Sequence, residues 1–347
     1  MKKSPLKRIL NFLFLVLVFS LTVWAVFGGQ DLEQLMEYIS QINVLYLIPA
    51  VLCVLAFVLG ESVIIYYLFR VLGNKVHFSR CCLYSFIGFF YSCITPSASG
   101  GQPMQVVAMR KDRIPVAVSS VVLVVVAVTY KLVLVLIGAT VMLLRPEKLM
   151  MYLDPVAPII YIGMVLNVIC ITALLVLLFV PNLVRNLGHV FFRFVNWIRP
   201  FKNLQAQEDR LERILGEYQG AAQFFRSHKL VMVNVLILTI VQRVVLFLVT
   251  WFTYRAFSLS GESLPVIVSL QAMISVAADM MPLPGGMGVS ETIFLEIFPP
   301  IFGPELTLPG MVVSRGISFY TQLAICGVMT AVASFVIREK KEKGSDE

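Results

Sequence analysis

The sequence predicts an all-α polytopic membrane protein, and three observations carry that prediction. The 347 residues are 59% hydrophobic and only 14% charged, against about 25% charged in an ordinary soluble domain. Apolar runs of membrane-crossing length recur, and the basic residues gather at their ends, as the positive-inside rule requires. Two apolar regions are also interrupted by Pro and Gly clusters, at Thr95–Met104 and Met281–Glu291. Pro and Gly break helices, and broken backbone in hydrocarbon leaves polar groups unpaired at several kcal/mol each. Such segments persist only where protein buries them or where they line a wet cavity. The expected architecture is a single domain over 1–347, with about six full spans, two re-entrant hairpins, and N- and C-termini in the cytoplasm.

Taken in order, Lys2, Lys3, Lys7 and Arg8 precede the apolar run Ile9–Phe27. That run is longer than a signal-peptide core and ends on a residue too large for cleavage, so it reads as an uncleaved first span. Residues 28–37 carry three acids and no cation, which suits the outer face. Leu32, Leu35, Met36 and Ile39 recur at helical spacing and predict a short interfacial helix. Leu45–Phe69 is long enough to span and returns to Arg70, Lys75, His77 and Arg80.

The next segment decides the topology. Cys81–Ile94 offers about 14 apolar residues, near 21 Å, against a core of about 30 Å. The first break follows, then Met104–Met109 and the cations Arg110, Lys111 and Arg113. A full crossing at 81–95 would leave those cations outside, whereas a re-entrant hairpin keeps them inside; the hairpin is the reading adopted. Ile114–Leu144 then crosses outward and Val156–Val180 crosses back.

Residues 181–229 carry eight Lys/Arg against four acids and form an amphipathic cytoplasmic connector. Val184, Leu187, Val190, Phe191, Phe194, Trp197 and Ile198 make one apolar stripe, and Leu211, Ile214, Leu215, Tyr218 and Phe225 a second. Leu230–Ala256 crosses outward. Leu264–Asp279 enters, breaks at Pro282–Gly288, and Thr292–Phe302 returns. Leu308–Ile337 makes the last crossing and ends at Arg338, Lys340, Lys341 and Lys343.

This order contains an internal repeat, with one unit over about 45–144 and another over about 230–337. Each has a span, a broken hairpin and a second span, and the two enter the membrane from opposite faces. Inverted repeats with interrupted segments at their core are a recurrent transporter design.

The breaks supply the candidate binding groups. Half-helix starts leave backbone N–H groups free, with the positive end of the helix dipole behind them, which suits phosphate or carboxylate. Gly100, Gly101, Gly285 and Gly286 let a ligand approach the main chain, and Pro284 and Gly288 complete the second turn. Pro103 suits a first helical position. Thr95, Ser97, Ser99, Gln102, Gln105 and Ser290 add neutral hydrogen-bonding groups.

Charges inside spans are costly and mark partners or cavities; here they are Glu61, Asp279, Glu291, Glu296, Lys131, Arg243 and Arg315. Lys131 and Arg315 fall in corresponding elements of the two repeats and form a cationic pair able to flank an anionic headgroup. The competing expectation is structural pairing, Arg243 with Glu61 and Arg315 with Glu291. Glu291 is also placed to cap its helix.

No nucleophile–base constellation, Walker motif, H-E-x-x-H or dinucleotide fingerprint is present, so no catalytic residue, cofactor or metal site is expected and an ATP-driven pump is excluded. The six cysteines lack zinc or redox spacing and read as small hydrophobes. The net charge of +8 follows from the cytoplasmic loops and implies no nucleic-acid partner.

The stretches T-P-S-A-S-G-G-Q-P-M-Q and P-L-P-G-G-M-G-V-S-E, with R-G-I-S-F-Y in the last span, resemble the lysylphosphatidylglycerol synthase transmembrane-region family. This is the flippase-like membrane domain of the multiple peptide resistance factor and of stand-alone proteins. The resemblance covers nearly the whole chain. It implies a bacterial inner-membrane lipid flippase or scramblase for a phospholipid such as aminoacylated phosphatidylglycerol. The soluble aminoacyl-transferase domain of bifunctional members is missing, so a lysyltransferase activity is not expected from these residues. Gln102 and Gln105 stand where many members carry an acid. The alternatives are a transporter of a polyprenyl-phosphate or other lipid-linked carrier, or the membrane component of a phosphatidylglycerol lysyltransferase system with a separate synthase. A membrane lipid is the expected partner, and a homo-oligomer is compatible with the sequence.

Overall fold

The computed structural model describes residues 32–180 and 204–337, with isolated positions between 183 and 193. The expected first span Ile9–Phe27, most of the stripe from Val184 to Ile198 and the cations after Ile337 lie outside the described residues.

Among the described residues the fold is helical, with no strand beyond one isolated backbone bridge. Helix α1 (Leu32–Ser40) is the short helix expected before the first described span. Five of the described segments are long and apolar enough to cross a membrane: Val44–Val71, Val116–Leu144, Glu147–Phe179, Lys229–Ala256 and Pro304–Val336. Within them lie α2 (Leu47–Val71), α5 (Val116–Leu144), α6 (Glu147–Leu153), α7 (Ala157–Phe179), α9 (Lys229–Ala256), α13 (Pro304–Arg315) and α14 (Gln322–Val336). The longest of them, α2, α5, α7 and α9, are dominated by apolar residues, Val, Leu and Ile above all, as a helix bathed in hydrocarbon requires. Helices α13 and α14 join through a π-helical turn, Gly316–Thr321.

The two broken regions are helix pairs. Helix α3 (Phe78–Cys93) has 16 residues and α4 (Gly101–Lys111) has 11. Helix α10 (Leu264–Ala278) has 15 and α11 (Val289–Ile297) has 9, the latter followed by α12 (Pro299–Phe302). At about 1.5 Å per residue, α3 and α10 reach roughly 24 and 22 Å, short of a core of about 30 Å.

Small residues let the helices close up. A Cβ on Gly101 would lie 2.7 Å from the Gly88 carbonyl, so α3 and α4 touch backbone to backbone. Gly163 of α7 meets α10 in the same way, and the buried Asn167 amide donates to both Gly163 O (2.9 Å) and Val276 O (3.3 Å). Gly60 of α2 faces Gln242 of α9, whose amide donates to Phe57 O at 2.8 Å.

Each pair returns to the end from which it starts. Asp112, just after α4, accepts from the Tyr84 hydroxyl and lies 3.5 Å from Arg80, both in the first two turns of α3. Phe302, at the end of α12, packs edge-to-face on Tyr254 near the end of α9, with ring centroids 5.4 Å apart. Contacts in the two halves correspond: α2 packs on α3 as α9 packs on α10, and α4 packs on α5 as α11 packs on α13. Helix α8 (Leu204–Ser227) lays Leu215, Ala221, Ala222 and Phe225 against the bundle, mainly on α5. Its Tyr218 hydroxyl reaches Leu177 O at 3.3 Å.

Candidate functional site

The two breaks meet. Pro96 and Pro284 form an antiparallel backbone bridge, and the Ser97 hydroxyl donates to Met281 O at 3.2 Å. In the first break Ser97 (φ 49°) and Ala98 (φ 54°) are left-handed, an uncommon state for residues with a side chain. Thr95 fastens this turn: its hydroxyl donates to Tyr91 O at 2.6 Å and accepts from Gly100 N–H at 2.9 Å.

In the second break Gly285 (φ 59°), Gly286 (φ 64°) and Gly288 (φ 83°) are all left-handed, where glycine is tolerated without steric cost. Space enforces the same choice, because a Cβ on Gly285 would run into the Phe319 ring.

These turns correct three expectations about free backbone groups. The N–H groups of Gly100 and Gly286 are consumed internally, the second by Leu283 O at 3.1 Å. Pro103 is the third residue of α4 rather than its first. Glu291 makes no helix cap, because its carboxylate is drawn to a side chain instead. Arg315 Nε donates to Glu291 Oε1 at 2.7 Å, Ser290 donates to Oε2 at 2.8 Å, and Arg315 Nη2 reaches Gly285 O at 3.1 Å.

Between the breaks and the long helices lies a cavity of about 410 Å³. Of the residues selected from sequence, Ser97, Ser99, Gln102, Gln105, Lys131, Gly285, Gly286, Ser290 and Arg315 line it. Thr95, Gly100, Gly101, Pro284, Gly288 and Glu291 stand behind that wall, where they shape the turns or neutralise Arg315. The π-helical turn contributes Ser318 and Phe319 to the lining, in keeping with the frequent siting of such turns at functional positions.

The charges sort themselves by partner. Lys131 Nζ lies 2.7 Å from Asp279 Oδ2, and Arg315 is paired with Glu291, so the two symmetric cations are neutralised. The expected Arg243–Glu61 pair does not form: neither residue has an ion-pair partner among the described residues. Glu61 accepts one bond, from Gln105 Nε2 at 2.6 Å. Arg243 is 3% exposed, its Nε has no hydrogen-bond partner, and its guanidinium lies 3.5 Å over the Tyr130 ring. An aromatic face attracts the cation but satisfies none of the in-plane donors.

Glu61, Asp279, Arg243 and Tyr130 all line the cavity and are absent from the set selected by sequence. Ionisable character inside an apolar span marks the first three; nothing in the pattern marks Tyr130. No group of three His, Cys, Asp or Glu suited to a metal occurs among the described residues.

Residues 11–326 match the family model described as "Lysylphosphatidylglycerol synthase TM region". That stretch contains both breaks and every charged residue of the cavity. A comparison with curated proteins finds no match.

Proposed function

The chain belongs to the lysylphosphatidylglycerol synthase transmembrane-region family, and from that premise we propose that it moves a phospholipid between the leaflets of the bacterial inner membrane. Family membership and the five apolar helices already make it a multi-pass membrane protein with a lipid-related role. The observation that carries the finer reading is the cavity itself. It is a chamber of about 410 Å³ with charged and polar side chains set among apolar ones, at the junction of two broken segments, and it contains an arginine without an anionic partner. A lipid phosphate supplies such an anion, while its acyl chains remain among the helices.

The topology in this reading has six spans, counting Ile9–Phe27, two re-entrant hairpins and both termini cytoplasmic. The return of α4 to the start of α3, and of α12 to the end of α9, supports hairpins over full crossings. The corresponding contacts of the two halves support inverted repeats over about 45–144 and 230–337. Ser97, Ser99, Gln102, Gln105, Gly285, Gly286 and Ser290 would form the chamber wall around the headgroup, with Thr95, Gly100, Gly101, Pro284, Gly288 and Glu291 shaping it. Lys131 and Arg315 would flank the headgroup as members of ion pairs.

Reconstitution tests the reading. Acyl-labelled phospholipid in proteoliposomes should become accessible to an external quencher faster than in protein-free liposomes, and Arg243→Gln should slow it by about tenfold, the worth of one charged hydrogen bond. Wild-type protein with no effect on leaflet exchange would overturn it.

A further inference from the structure

Two opposite charges are left over when the cavity's ion pairs are counted, and their placement is specific. Cations Lys131, Arg243 and Arg315 face acids Glu61, Asp279 and Glu291; two pairs form, leaving Arg243 and Glu61. Each is the fifteenth residue of its helix, Glu61 in α2 (Leu47–Val71) and Arg243 in α9 (Lys229–Ala256). Those helices touch where Gly60 meets Gln242, the residues immediately before the two charges. Glu61 and Arg243 therefore sit at nearly the same level of the bundle, on opposing helices of one chamber, yet beyond ion-pair distance of each other.

We infer that Arg243 and Glu61 together recognise a zwitterionic headgroup, with its phosphate at Arg243 and its ammonium at Glu61. This rests on the lipid-transport reading and adds the class of substrate. The guanidinium presents in-plane donors that match phosphate oxygens, and the Tyr130 ring, 3.5 Å from its central carbon, holds it in place. Gln105 orients the Glu61 carboxylate through one bond at 2.6 Å and leaves its remaining acceptor positions for an ammonium. A headgroup carrying phosphate alone satisfies Arg243 but leaves Glu61 without a counter-charge. Zwitterionic headgroups are thereby selected over purely anionic ones, and the discriminating residue is Glu61.

Binding and transport are measured separately so that the two readings can be told apart. In detergent, wild-type protein should bind glycerophosphoethanolamine about tenfold more tightly than glycerophosphoglycerol, the difference being one charge-assisted contact. Glu61→Gln, nearly isosteric, should bring that ratio close to one, and Arg243→Gln should weaken both probes. Equal binding of the two probes by wild-type protein overturns the inference without any variant being needed. So does a Glu61→Gln protein that keeps the preference. In proteoliposomes, acyl-labelled phosphatidylethanolamine should exchange faster than acyl-labelled phosphatidylglycerol. Discriminating binding without exchange of either lipid would reject transport and leave the charge assignment standing.

Discussion

Removing the charge of Lys131 leaves the Asp279 carboxylate, 2.7 Å away, without its counter-ion in an interior where both side chains are at most 15% exposed. Breaking a buried pair costs about 3–5 kcal/mol, whereas replacing both partners with neutral groups is often close to neutral. Lys131→Gln is therefore expected to lower stability by about 3 kcal/mol, and Lys131→Gln with Asp279→Asn to recover most of it. Thermal unfolding in detergent measures both; a single variant as stable as wild type would deny the pair any structural role. Which residues are charged inside the spans is legible in the sequence, since each breaks an apolar run. Their pairing is not. The partners are 148 residues apart, and the rotation of each helix decides which of three acids a given cation meets. Gly285 shows the same limit. Its glycine invites a ligand-approach reading, but its positive φ and the Phe319 ring over it account for the residue without any ligand.

Helices are where the sequence speaks most directly. Because hydrocarbon demands continuous apolar surface and internally satisfied backbone, the described spans end within a few residues of the apolar runs that predict them, except that the third begins at Glu147 rather than Val156. The breaks are legible for the converse reason, as Pro and Gly clustered within a few residues cannot continue a helix. The π-helical turn at Gly316–Thr321 is not legible. Its shifted hydrogen-bond register leaves the apolar pattern unchanged, although it carries Phe319 over the second break. Helix α4 makes the topology testable. It ends at Lys111 beside the start of α3, through the Tyr84–Asp112 bond and the Arg80–Asp112 contact. A cysteine at Lys111, in a protein without its native cysteines, should resist a membrane-impermeant maleimide in intact cells. Ready labelling would replace the hairpin with a full crossing.

At the scale of the whole molecule, the two halves pack along their long helices, and the two breaks meet at their centre. Pro96 and Pro284 form the bridge, with the Ser97–Met281 bond beside it. A site enclosed between two such halves exchanges its contents when one half rocks against the other, and that movement must part the breaks. Antiparallel bridge partners have Cα atoms about 4.5–5.5 Å apart, inside the range of about 4.4–6.8 Å that a disulfide accepts. Pro96→Cys with Pro284→Cys, after removal of the six native cysteines, should therefore cross-link readily on oxidation. The oxidised protein is expected to lose lipid exchange in proteoliposomes, and reductant should restore it. Loss of the two prolines affects both states alike, so comparing them isolates the cross-link from the substitutions. Leaflet exchange that proceeds at the same rate with the bond closed would mean that the breaks stay together throughout. The lipid would then pass along a fixed groove, and the corresponding contacts of the two halves would be a feature of assembly alone.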